Sequence, residues 1–259
     1  MWPMILHASR SQAAARRLKY VTPGGATTFV STYLGTNKME GLAQGQTVEQ
    51  VAAGAVGQPM AFLVEQAGGH TVDAHYHEAA QFQLFVGGSG HVGTHALDGV
   101  TVHYAAPHSP YGPIVAGPQG VQYLTLRHDW DRGAQWMPQA AAVLRAMPNR
   151  KHLTFTSQPV ARCADLPALS GASQTPLLRT AEGGPQAWRV CAGPGAVVRS
   201  DPVGAGGQFW YVLAGSARHD GASWDADDCV YVSGDEGPLI CQAGEGGVEL
   251  IRMAFAAGG

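Results

Sequence analysis

Short runs of β-branched and aromatic residues, separated by glycine and proline, set the pattern of this chain. Thr27-Thr28-Phe29-Val30-Ser31-Thr32-Tyr33-Leu34 reads as a strand, as does Met60-Ala61-Phe62-Leu63-Val64-Glu65. Thr47 to Ala53 reads as a strand or a short helix. From Gln81 the order is Gln-Phe-Gln-Leu-Phe-Val, so Gln81, Gln83 and Phe85 share one face of a strand and Phe82, Leu84 and Val86 the other. Further strands are predicted at 91–97, 100–104 and 121–127. Turns are predicted at Gly68-Gly69, Gly87-Gly88-Ser89-Gly90, Asp98-Gly99 and Gly117-Pro118-Gln119-Gly120. Several short strands at this spacing argue for a sandwich or barrel. Besides Thr47 to Ala53, helix signals lie in the alanines that Ser11 would cap and in Ala140–Arg145 after Pro138.

The pattern recurs. Gln208-Phe209-Trp210-Tyr211-Val212-Leu213-Ala214-Gly215-Ser216 overlays Gln81 to Ser89, and Gly247 to Met253 overlays Gly120 to Leu126. An internal repeat of a strand-rich unit implies two similar barrels. The boundaries that follow are an N-terminal extension over 1–26, a first barrel over 27–135, a proline-punctuated connector over 136–185 and a second barrel over 186–259.

Composition narrows the function. The 259 residues include 35 Gly and 16 Pro, and only 14% are charged. With a net charge of -3 there is no basic field for nucleic acid. No apolar run is long enough to span a membrane, and the N-terminus lacks a signal-peptide pattern. The four cysteines, Cys163, Cys191, Cys229 and Cys241, form no CxxC and read as free thiols. A cytoplasmic protein is expected. Low surface charge and exposed sheet edges allow a homodimer.

The chemistry concentrates at His75-Tyr76-His77. Two imidazoles at i and i+2 on a strand face the same way and enter one cavity, as metal ligands or as a polar pair. Gln81 and Gln83 line the same end if they point inward, and their amides suit a carboxylate, carbonyl or hydroxyl of a small molecule. In the second copy the two histidine positions are held by Pro202 and Gly204, which cannot ligate through a side chain.

With Gly69, His75, His77 and Gly88 at their spacing, the first unit resembles a cupin, and the whole chain resembles a two-domain cupin, or bicupin, with a degenerate C-terminal barrel. The resemblance implies an all-β fold of two tandem jelly-roll barrels (double-stranded β-helices) with short flanking helices. The position that carries Glu in the family's first motif is Gln81. The second motif sets its turn on Ala105 to Pro110 and its ligand position on Tyr111, with His103 as the other residue able to complete the site. The implied cofactor is one divalent transition metal (Fe, Ni, Zn, Mn or Cu) held by His75, His77, Gln81 and Tyr111. The loss of the glutamate charge weakens such a site for divalent iron. Gln81 and Tyr111 are also the candidate catalytic groups. Gln83, His103, Tyr123 and Arg127 are candidates for a substrate pocket, Arg127 either pairing with an anion or lying on the rim.

The function implied is a metal-dependent enzyme acting on a small polar organic acid or enol, as a dioxygenase, isomerase or lyase. The alternative is a non-catalytic module that binds or senses a small molecule.

Overall fold

The computed structural model describes residues 4–148, 150–180, 183–201, 204 and 206–256. In order, the chain forms β1 (Ile5–Ala8), α1 (Arg10–Ala15), β2 (Arg17–Val21), β3 (Thr27–Leu34), α2 (Lys38–Ala43), α3 (Val48–Ala55), β4 (Met60–Gln66), β5 (Thr71–Val72) and β6 (His75–Tyr76). There follow β7 (Gln81–Val92), β8 (His95–Ala96), β9 (Thr101–Ala105), β10 (Ile114–Arg127), β11 (Gln135–Trp136), α4 (Ala141–Ala146) and β12 (Thr154–Thr156). The remainder is β13 (Ala172–Arg179), β14 (Gln186–Ala192), β15 (Val197–Arg199), β16 (Gln208–His219), β17 (Ala222–Asp225), β18 (Cys229–Val232) and β19 (Ile240–Ala254). The architecture is all-β with short helices.

The chain divides into two units, residues 14–160 and residues 4–13 with 161–256. In the first, a nine-stranded sheet runs β12-β9-β7-β10-β4-β3-β2, with β5 on β10 and β8 on β7; β6 and β11 form a separate pair. In the second, an eight-stranded sheet runs β1-β18-β16-β19-β14-β13, with β15 and β17 attached. The segments the sequence sets aside as extension and connector supply edge strands. β1 pairs with β18 of the second unit, β2 with β3, β12 with β9 and β13 with β14. Their pull is the row of free N–H and C=O groups that a sheet edge presents, which a local reading of the sequence does not see.

One open reading is decided, for a helix, and two others change. Thr47 to Ala53 is helical because Thr47 Oγ1 caps Gln50 N while the Gln50 side chain returns to Thr47 N, a reciprocal cap that starts α3. Ser9, not Ser11, caps the first helix, through Gln12. The glycines at 87–90 and 117–120 are not turns but the middles of two long paired strands, β7 and β10. The strands bend there, with register shifts. At Gly88, φ is +75° and a Cβ would lie 2.1 Å from Gly120 O, so only glycine lets the two backbones meet. Gly215 repeats this in the second unit, with φ +73° and a Cβ position 2.0 Å from Gly247 O.

Each unit has its own apolar core. One is built on Val30, Met60, Phe62, Val64, Phe85 and Ile114, the other on Val190, Val212, Trp224, Val230 and Leu250. Among the described residues no helix is long and apolar enough to cross a membrane, and the four cysteines are free thiols. Pro202 lies outside the described residues.

Candidate active site

Backbone pairing assembles the site in the first unit. His75 N donates to Tyr111 O (3.1 Å) and Tyr111 N to His75 O (3.0 Å), which sets the two side chains next to each other. β11 pairs with β6, so Trp136 stands opposite His75. β10 pairs with β7 with Leu126 facing Phe82, so Arg127 follows at the level of Gln81.

The side chains then form a directed chain of hydrogen bonds. Arg127 Nε and Nη2 donate to Gln81 Oε1 (3.1 and 2.9 Å). Gln81 Nε2 donates to Tyr111 Oη (2.6 Å). The phenol donates to His75 Nε2 (2.8 Å). His75 Nδ1 ends the chain on Asp73 O (2.7 Å). A carbonyl only accepts, so the proton of neutral His75 is on Nδ1 and Nε2 is the acceptor. Arg127 is 3% exposed, which places it in the interior and not on the rim.

His77 is held by a residue that the sequence does not single out. Its Nδ1 lies 2.7 Å from Asp131 Oδ1. Asp131 also accepts from Glu78 N (2.9 Å), Ala79 N (3.2 Å) and Gly133 N (2.7 Å), and its carboxylate lies 3.8 Å from Arg127 Nη1. Burial works against ionisation of Asp131, but the Arg127 guanidinium and the His77 ring outweigh it and hold the carboxyl well below the usual carboxylate range. Against an ionised Asp131, His77 Nδ1 is the donor and Nε2 is bare. Arg127 Nη2 sits 3.2 Å from that Nε2.

Burial dominates the remaining electrostatics. It pushes His75 down to about 3, helped by the neighbouring His77, and His77 down to about 4, helped by Arg127. It pushes the Tyr111 phenol up, against the pull of Arg127, so Tyr111 is a proton donor at neutral pH. It lowers Lys38, with Asp131 opposing.

These groups face a cavity of about 120 Å³. His75, His77, Gln83, Tyr111, Tyr123 and Arg127 line it, and Lys38, Asn37, Thr125, Asp131 and Trp136 join them. Val30, Met60, Phe62, Val64 and Val72 form an apolar wall. Gln81 lies behind this surface, between Tyr111 and Arg127. His103 is displaced from the cavity. Its ring packs 5.0 Å from Tyr111, its Nδ1 bonds Thr156 Oγ1 (2.8 Å), and it is Tyr111 that reaches His75. Glu78 is half-exposed and faces Arg132 at 3.7 Å.

The four positions that the cupin resemblance assigns to a metal do converge, but their chemistry does not fit a divalent ion. Two imidazoles with anchored Nδ1 atoms suit a metal. The other two groups do not: the amide oxygen of Gln81 is taken by two N–H groups of Arg127, and the phenol of Tyr111 is held protonated. None of the four positions carries a carboxylate, while a buried guanidinium stands 3.2 Å from His77 Nε2. Among the described residues no group of three or more His, Cys, Asp or Glu side chains is placed to hold a metal. The second unit has an Arg–Gln contact without histidines, but its arginine, Arg252, stands at the register position of Thr125 and not of Arg127. Arg252 Nε donates to Gln208 Oε1 at 2.7 Å, and Trp210 stands where Gln83 stands in the first.

The fold is that of a two-domain cupin. No family model and no curated protein sequence matches the chain. Among solved structures, it is similar to oxalate decarboxylase from Bacillus subtilis, with 13% identity, a TM-score of 0.56, and coverage of 97% of this chain and 76% of the other. A second structure of that enzyme, described for its Mn(II) centers, matches at 13% identity and a TM-score of 0.54 over 97% and 77% of the two chains. A provisionally named dioxygenase from Nostoc punctiforme matches at 10% identity and a TM-score of 0.65 over 99% and 84%. Likeness at this level of identity is likeness of fold.

Proposed function

We propose that this chain is a cupin enzyme that moves a proton on a small organic acid or its enol, an isomerase or lyase in type, with Tyr111 and His75 as the acid–base pair. The observation that carries this reading is the hydrogen-bond chain from Arg127 through Gln81 and Tyr111 to His75, opening on a cavity with two cationic side chains. A carboxylate bound in this cavity puts negative charge near His75 and raises its basicity from the resting value of about 3. Tyr111 then passes its proton to His75 Nε2 as its phenolic oxygen accepts one from the substrate, and the reverse transfer returns a proton to the product. Gln81 Nε2, backed by Arg127, stabilises the phenolic oxygen while it carries negative charge. The divalent metal implied by the cupin resemblance has no part in this scheme, because the donor set opposes it.

The test is solvent deuterium exchange into a panel of small 2-oxo and 2-hydroxy acids, followed by NMR. Exchange that disappears in Tyr111→Phe while binding persists supports the reading. Undiminished exchange in Tyr111→Phe overturns it. A second reading, a binding or sensing module without turnover, is favoured by the weak resting basicity of His75 and His77, about 3 and about 4. Binding without exchange in the unmodified protein would favour that reading.

A further inference from the structure

We infer that the first-barrel cavity takes a small hydroxy-monocarboxylate, its carboxylate held by Lys38 and Asn37 and its hydroxyl donating to Gln83. The inference rests on the organic-acid reading above and narrows it.

Charge fixes the valence of the ligand. The charged side chains on the cavity are Lys38, Arg127 and Asp131, two cations and one anion, so one positive charge is in excess. Asp131 is spent on His77, three backbone N–H groups and Arg127. Lys38 has no hydrogen bond or ion pair among the described residues, although it is half-buried; its ammonium packs against Gly133. A half-buried ammonium that feels the Asp131 carboxylate only at a distance, with no direct ion pair, is costly. One bound monoanion neutralises the cavity, whereas a dianion would overshoot.

Unmet hydrogen bonds fix the rest. Asn37 spends its side-chain oxygen capping α2, at Met39 N, and its buried Nδ2 has no acceptor. That amide adjoins Lys38 in the chain and adds a second donor for the same carboxylate. Gln83 Oε1 is buried with no donor. Buried amides in native proteins are almost always satisfied, and a ligand hydroxyl supplies the missing proton. A simple carboxylate has none to give at neutral pH. The volume of about 120 Å³ suits a small acid of a few carbons. The Met60, Phe62 and Val64 wall takes its carbon end.

Isothermal titration of the full chain with both enantiomers of lactate, propionate, malonate and 1,2-propanediol decides the matter. Expected is binding of one lactate enantiomer about tenfold or more tighter than propionate, the worth of one buried hydrogen bond. Malonate should bind more weakly than lactate and the diol not measurably. Gln83→Met should bring lactate and propionate within about threefold of each other without weakening propionate. Lys38→Met should weaken both acids about tenfold. Equal binding of lactate and propionate by the unmodified protein, or tighter binding of malonate, overturns the inference and leaves the organic-acid reading standing. If none of the acids binds, the organic-acid reading falls with it. The ligand comparison on the unmodified chain decides even if a variant does not fold.

Discussion

Tyr111 Oη lies 2.8 Å from His75 Nε2 and is the only one of the two atoms with a proton to give, because His75 spends its own on Asp73 O. The phenol therefore does two jobs at once, donating to His75 and accepting from Gln81 Nε2 at 2.6 Å. Tyr111→Phe removes both partners together and leaves a buried amide and a buried imidazole nitrogen unsatisfied. A loss of about 1–3 kcal/mol per orphaned group is expected, measured as a lower urea midpoint with an unchanged slope. His75→Gln, whose amide can still accept from Tyr111, should cost less. Equal losses in the two variants would mean that the hydrogen-bond chain contributes little to stability.

Acid should destabilise the first barrel well above the range where carboxylates titrate. Burial lowers His75 and His103 to about 3 and His77 to about 4. The unfolded chain takes up these protons near pH 6.5 and the folded chain does not, so stability is fully present above 6.5. It falls as pH drops through the window from 6.5 toward 3 to 4. At pH 5 each imidazole costs about 2 kcal/mol, from roughly 1.5 pH units at 1.36 kcal/mol each. Asp131, whose carboxyl is held low, adds its own loss only as pH falls below about 4. Melting temperature measured from pH 7.5 to 5 should drop steeply, and His103→Leu should flatten the slope. A profile that stays flat to pH 5 would contradict the burial of the three rings.

Asp131 shows where the sequence was legible and where it was not. The His75 and His77 pair, the glycine spacing and the repeat are local patterns, and they point to the cupin barrels that the structure contains. The inward parity of Gln81 and Gln83 also follows from strand geometry alone. Arg127 reads equally well as rim or pocket until the pairing of β7 with β10 sets it beside Gln81. Asp131 lies in a loop and Lys38 opens the short helix α2, far from the histidines in sequence, and only the closed barrel brings them to the histidines. Asp131→Asn keeps the shape but removes the one carboxylate between His77 and Arg127. Leaving that buried guanidinium uncompensated should cost about 3–5 kcal/mol, read by chemical denaturation. A cost below 1 kcal/mol would show that Arg127 finds another partner.

The bend glycines depart from the turns the sequence predicts for a related reason: a glycine pair between two apolar runs looks like a turn when the partner strand is unknown. Gly88 and Gly215 hold the same place in the two units, each with positive φ and each against a backbone carbonyl. Neither Gly120 O nor Gly247 O can move without breaking its strand. Gly88→Ala and Gly215→Ala should each destabilise by about 2–4 kcal/mol, combining left-handed strain with a backbone clash. Gly45→Ala, at φ +81° with open space around it, isolates the strain and should cost about 1 kcal/mol. If all three cost the same, the close approach of the paired strands is not the reason for glycine.

Arg127 and Gln81 together decide whether the cupin position can hold a metal. A divalent ion about 4 Å from a guanidinium is opposed by roughly 8 kcal/mol at an effective dielectric of 20, more than two neutral imidazoles recover without a carboxylate. Untagged protein should therefore carry far less than one equivalent of Mn, Fe, Ni, Cu or Zn by elemental analysis, and a chelator should leave ligand affinity unchanged. Gln81→Glu alone should gain little, because the new carboxylate pairs with Arg127. Arg127→Leu alone removes the opposing charge but supplies no anionic ligand. The combination of the two restores two imidazoles and a carboxylate around an uncharged neighbour, and should bind close to one equivalent of zinc or manganese. A stoichiometric metal in the unmodified protein, retained through dialysis, would mean that Arg127 leaves His77 Nε2 to make room for the ion.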